Sequence, residues 1–287
     1  MTNPQFPDLA GLALGAHAYH TAEWRLIIDD APRDGAWNMA VDEALMNAVG
    51  EGESLPVLRL YQWAPPCISL GRRQPLAGVD PNALHADGVG TVRRETGGWA
   101  ILHTDELTYS VTLRPTDPRA DGPILDAYRK LSQGLVEGLA LLGVHAEMKP
   151  ASASGTHNLS AACFETPSAY EITAGGRKLI GSAQARPNGR VLQHGSLPLR
   201  GDISRVTRYL AFPDEEARAH LADQLRAHAI TLAEVAGREI GFEEASRAIS
   251  AGFSRALNLT LRPSALTSRE LEQAGAIAES KRLEMTA

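Results

Sequence analysis

The chain has 287 residues, 44% hydrophobic and 22% charged, enough to bury a substantial core in one large domain or one domain with an appendage. Its formal net charge of −6 argues against general nucleic-acid binding, which needs a basic face. No run of about 18 apolar residues is present, so no transmembrane helix and no membrane partner is expected.

The first 23 residues read as a loose tail. They carry an apolar stretch, Leu9 to Ala18, and up to His20 no Lys or Arg, so a secretory signal is not expected. Two cysteines, Cys67 and Cys163, stand far apart with no CxxC, which fits a reduced, cytoplasmic protein without a metal site.

Trp24 to Asp29 reads as a strand. From Gly35 to Gly50, Trp37, Ala40, Val41, Ala44, Leu45, Ala48 and Val49 recur at helical spacing. Val57–Trp63 and Cys67–Leu70 are β-like runs split by Pro65-Pro66, and Val89–Arg94 is another. Leu107, Tyr109, Val111 and Leu113 alternate with Thr108, Ser110, Thr112 and Arg114, the pattern of a half-buried strand. A long helix follows over 124–142, closed by Gly143. Tyr170 to Leu199 reads as a meander with turns at Gly175-Gly176 and Asn188-Gly189, the second a type I′ hairpin signal. Helices are expected at roughly 202–210, 214–228, 231–236, 242–256 and 267–284, the last starting near Thr267 or Ser268 with Glu270 close by. The sum is an α+β architecture: a mixed or antiparallel sheet with flanking helices and a helical C-terminal part. The boundaries expected are a tail over 1–23, a catalytic domain over 24–240 and a C-terminal extension over 241–287.

Four segments carry chemistry. In Arg93-Arg94-Glu95-Thr96-Gly97-Gly98, arginines precede a Gly-Gly turn whose amides approach a ligand closely. Arg94 there suits a carboxylate or phosphate, although a solvated hairpin has the same composition. His103 is a general-base candidate and equally a hydrogen-bonded structural histidine. Cys163, on a Pro/Ser-containing loop, is either a nucleophile or an inert buried thiol. In Arg177–Gln184, strand alternation puts Lys178, Ile180, Ser182 and Gln184 on one face and Leu179, Gly181 and Ala183 on the other. His194 and Gly195 follow on the next strand, in reach of the same wall.

Taken together, RRETGGWAILHTDELTYSV (93–111), ACFETPSAYEI (162–172) and GGRKLIGSAQARPNGRVLQHGSLPL (175–199) resemble the biotin/lipoate protein ligase superfamily. They are most similar to its octanoyl-[acyl-carrier-protein]:protein N-octanoyltransferases, in which a CFxxPSxYE cysteine precedes GRKLxGSAQ. The resemblance implies Cys163 as nucleophile and Lys178 as the cation beside it. It implies a substrate site around Arg94, Thr96, Gly97, Gly98, His103, Gly181, Ser182, Ala183, Gln184, His194 and Gly195. It implies octanoyl-acyl carrier protein as donor, a lipoyl domain or the glycine cleavage H protein as acceptor, and no cofactor. Arg72, Arg73, Arg93, Arg94 and Arg177 would form a basic rim steering these partners. An ATP-dependent lipoate ligase, an octanoyl or lipoyl amidotransferase and a non-catalytic binding module are the rival readings. Cys67 is read as structural, and Trp99 departs from the small residue or Arg usual after Gly-Gly.

Overall fold

The structure is a computed structural model that describes residues 19–150 and 170–284. The strands are β1 (Ala22–Ile28), β2 (Val57–Tyr61), β3 (Cys67–Leu70), β4 (Gly90–Arg93), β5 (Ile101–His103), β6 (Glu106–Leu113), β7 (Glu147–Pro150), β8 (Tyr170–Ala174), β9 (Arg177–Ala185), β10 (Val191–Pro198) and β11 (Leu259–Pro263). The helices are α1 (Gly35–Glu51), α2 (Pro81–Asp87), α3 (Ile124–Leu141), α4 (Glu215–His228), α5 (Leu232–Ala236), α6 (Phe242–Leu257) and α7 (Ser268–Glu284), with a 3-10 segment at Ile203–Tyr209.

Eight strands form a mixed sheet in the order β11-β1-β2-β6-β10-β9-β8-β7. A second sheet of three strands has the order β4-β3-β5. Helices α3 and α6 cover one face of the large sheet, where Leu131, Leu135, Ile249 and Phe253 meet Leu58, Leu60, Tyr109 and Val111. Helix α1 covers the other face, and α7 lies on α1 through Ala274 and Ala278. The small sheet has its own core with the 3-10 segment and α4.

Most local signals act where they stand. Asp34 caps α1 by accepting from Trp37 N, and Thr267 and Glu270 exchange bonds that start α7. Asn188 and Gly189 take the left-handed values of a type I′ turn (φ 51° and 74°), closed by Arg190 N to Pro187 O at 2.9 Å.

The strand expected to be half-buried is buried along its whole length: all eight residues of β6 are covered. It runs through the middle of the sheet with helices on both faces, so its polar side faces α1 rather than water. The segment 241–287, expected as a helical extension, also contributes β11, which pairs in parallel with β1 from Ala22↔Leu259 to Leu26↔Pro263. Its helix α6 shares the main core with α3. Among the described residues no helix is long and apolar enough to cross a membrane.

Candidate active site

A cavity of about 480 Å³ opens between β6, β9 and β10 of the large sheet and β5 of the small one. That is within the range of small-molecule sites, roughly 300–1,000 Å³. The loop after β4 supplies Arg94, Gly97 and Gly98 to its wall, and β5 supplies His103. Strand β9 supplies Lys178, Gly181, Ser182, Ala183 and Gln184, while β10 supplies His194 and Gly195. Thr96 stands one bond behind, on His194. Cys163 lies outside the described residues, as does the stretch Ser152 to Ala161.

Lys178 does not share a face with Ile180, Ser182 and Gln184, as simple alternation predicts. The pairing of β8 with β9 shifts from Ile172↔Ile180 to Thr173↔Lys178, so β9 carries one extra residue there. Such a bulge reverses the alternation. The Lys178 side chain therefore lies over Gly181, its Cε 3.4 Å from where a Cβ would stand on that glycine. Its Nζ is 2.9 Å from Glu171 Oε1, and both side chains are largely buried. The carbonyl of Lys178 accepts from Ile230 N at 2.9 Å, which fixes its backbone.

Arg94 is buried and donates inward: to Ser69 O at 2.8 Å, Ser69 Oγ at 3.0 Å, Gly97 O at 3.0 Å and Trp99 O at 2.7 Å. It shapes the turn it belongs to. Arg93 likewise donates to Gly71 O and Gln74 O, so neither arginine stands on the expected basic rim. Arg72 and Arg73 are exposed, and Arg177 stands 4.0 Å from Glu234. Glycine is needed on both sides of this turn. Gly98 has φ +95°, and a Cβ at Gly71 would press into the Gly98 carbonyl. Trp99 is not among the lining residues, although its neighbours Gly98 and Ala100 are.

Two buried polar chains support the wall. His103 Nδ1 is 2.8 Å from Glu106 Oε1 and Nε2 is 2.7 Å from Ser69 Oγ, with the ring stacked on Trp63 at 4.0 Å. Glu106 also accepts from Thr108 and, at 2.6 Å, from Ser196 Oγ. In the second chain, Thr96 Oγ1 is 2.7 Å from His194 Nε2, and His194 Nδ1 is 3.4 Å from Asp42 Oδ2. Asp42 further accepts from Arg59 at 2.9 Å, Tyr61 at 2.8 Å and Ser110 at 2.7 Å.

Burial pushes the His194 pKa below its ordinary value, against the pull of Asp42. Burial opposes the charge on Asp42 too, but His194 and Arg59 outweigh it and hold the carboxyl low. The pair is thus a neutral imidazole donating from Nδ1 to a carboxylate and accepting the Thr96 hydroxyl at Nε2.

Sequence reasoning missed Asp42, Ser69 and Glu106. A signal existed for Asp42: Asn38 and Asp42 are polar at i and i+4, interleaved with the apolar positions of α1, and both are buried. Cys67 is buried and its thiol is pushed far up by burial, first, with Asp34 and Glu106 adding to it, so it is no nucleophile.

The chain matches the model of the lipoyl protein ligase A/B catalytic domain over residues 34–254. It is 45% identical over 266 residues to the octanoyltransferase LipM of Symbiobacterium thermophilum, covering 90% of this chain and 95% of that one. It is 44% identical over 257 residues to the octanoyltransferase LipM of Kyrpidia tusciae, covering 88% and 93%. Among solved structures, a bipartite lipoate protein ligase from Thermoplasma acidophilum superposes with a TM-score of 0.75 at 24% identity, over 90% of this chain and 92% of that one. A lipoate-protein ligase A bound with ATP gives 0.72 at 23% identity, over 90% and 95%. These two likenesses concern the fold.

Proposed function

The chain belongs to the lipoyl protein ligase A/B catalytic domain family, and we propose that it transfers an octanoyl group from octanoyl-acyl carrier protein to a lysine of a lipoyl domain or glycine cleavage H protein. The relatives named octanoyltransferase, matched over most of their length, support this activity. A free thiol nucleophile suits a reduced cytoplasm.

One observation carries the assignment of the chemistry: the Lys178 ammonium sits at the cavity wall, held by Glu171. Glu171 stands only eight positions after Cys163. In the proposed first step the Cys163 thiolate attacks the donor thioester carbonyl. The tetrahedral oxyanion collapses, the carrier thiolate leaves and takes up a proton, and an octanoyl-Cys163 thioester remains. The acceptor lysine, as a free amine, then attacks this thioester. Its C–N bond forms as the C–S bond breaks, the Cys163 thiolate is regenerated, and the surplus proton of the amine passes to solvent. Thioester exchange is near balance and amide formation from a thioester is downhill, so no ATP enters.

In this reading Lys178 stabilises the thiolate and the oxyanion by its charge. The backbone amides of Gly97, Gly98 and Gly181 are the candidates for further oxyanion contacts. The octanoyl tail gains about 0.8 kcal/mol per buried CH₂ in the cavity, several kcal/mol in all.

Intact mass after mixing with octanoyl-carrier protein tests the proposal. An added octanoyl group on the parent protein and none on Cys163→Ala is the expected result, and Lys178→Ala should lose most turnover with folding intact. An octanoyl adduct persisting on Cys163→Ala removes the thiol from the chemistry. Pyrophosphate release from ATP with free octanoate would reveal a ligase instead, and transfer only from an octanoylated H protein an amidotransferase.

A further inference from the structure

We propose that α7 is a strut for the loop Arg94–Trp99, and that Lys281 is a positioning residue for acyl transfer. The proposal rests on the octanoyl-transfer reading and gives the C-terminal helix a part in it.

Gly97 and Gly98 are exposed and line the cavity. Glycines have the greatest backbone freedom, so neighbours must orient their amides. Donors aimed at a developing oxyanion help only if they are fixed before the reaction. Within the loop, Arg94 holds the carbonyls of Gly97 and Trp99. From the large sheet, His194 holds Thr96. The outer side is held by Glu95, whose Oε1 lies 3.1 Å from Lys281 Nζ.

Lys281 is a buried lysine, 7% exposed, near the end of α7. The same ammonium stands 3.0 Å from Glu43 Oε2 on α1. Burial disfavours its charge, yet Glu43 and Glu95 together raise its pKa, so it stays an ammonium. A second tie, Arg282 Nη2 to Asp34 Oδ2 at 2.8 Å, fixes the same end of the helix to the start of α1. The other end is fixed by the two-pronged Arg25–Glu270 pair, and the middle by Ala274 and Ala278 against α1. The helix is therefore anchored along its length and cannot shift without breaking these contacts. It reaches the cavity-lining loop through Lys281, which bridges α1 and the loop. The Glu95 side chain is about a quarter exposed, so solvent screens its end of the pair. Its value lies in where it holds the loop.

The test uses full-length Lys281→Met and Lys281→Arg, with Glu95→Gln and the Lys281→Met/Glu95→Gln double variant. Amide hydrogen exchange reads the 94–99 loop without substrate, and steady-state transfer from octanoyl-carrier protein reads kcat and KM. In Lys281→Met, exchange in the loop should rise about tenfold while β10 is unchanged, and kcat should fall about tenfold with KM within about twofold. Lys281→Arg should recover most of both. Glu95→Gln should reproduce the loss, and the double variant should be no worse than either single one. Loop exchange and kcat both at parent values in Lys281→Met would overturn the proposal. So would additive losses in the double variant, or loop exchange that rises while kcat stays normal. If the parent protein transfers no octanoyl group at all, the transferase reading fails instead, and the exchange data still decide the strut.

Discussion

Gly71→Ala probes the turn between β4 and β5 directly. The backbone of Gly71 touches that of Gly98, and an added Cβ would stand 2.8 Å from the Gly98 carbonyl carbon and 3.2 Å from its nitrogen. Comfortable carbon–carbon separation begins near about 3.5 Å. Gly98 must therefore retreat by about 0.7 Å, and somewhat more to clear its carbonyl oxygen. Both glycines sit in backbone with no flexible side chain to give way, so the shift passes to the loop. A misplacement of about 1 Å at a reacting centre costs up to about 10²-fold in rate. The expected loss in kcat/KM is thus about 10- to 100-fold. Single-turnover transfer from octanoyl-carrier protein to a lipoyl domain measures it, with a thermal melt as control. A rate within about threefold of the parent, in a protein that melts normally, would refute the placement of the Gly97-Gly98 turn at the reacting carbonyl.

Two further predictions concern packing and protonation. Helices α3 and α6 cross at glycines, and a Cβ on Gly252 would stand 2.6 Å from Gly138 Cα. Gly252→Ala should destabilise the protein by about 1–3 kcal/mol or more, lowering the calorimetric Tm by several degrees, about 2–4 °C per kcal/mol; an unchanged Tm would contradict the crossing. His194 is neutral when folded because its pKa is depressed, so the unfolded chain takes up the proton first. Its neutral state is cost-free above the unfolded value near about 6.5, and stability is lost as pH falls below it. The Tm advantage of the parent over His194→Gln should accordingly shrink between pH 7.5 and 5.5 (about one unit either side of that value), and a constant difference would argue against the buried neutral imidazole.

The candidate site was legible where it depends on short stretches of chain. RRETGG, GRKLIGSAQ and QHG each lie on one loop or strand, and all reach one cavity. What escaped is what neighbours decide. The direction of Lys178 depends on a bulge that appears only when β9 meets β8. The inward turn of Arg93 and Arg94 depends on carbonyls offered by β3 and the segment after it. Asp42 matters because Arg59, Tyr61, Ser110 and His194 come to it from β2, β6 and β10.

By itself, the sequence determined the elements that repeat at 3.6 or 2 residues, the caps and turns that end them, and the family to which the motifs belong. These are local properties, set by backbone sterics and by side chains a few positions apart. The tertiary structure alone decided which faces are wet. It covered both sides of β6, brought Leu259–Pro263 alongside Ala22–Leu26 more than two hundred residues away, and set Lys281 between Glu43 and Glu95. Burial and ion pairing depend on distance in space, and no periodicity along the chain encodes that distance.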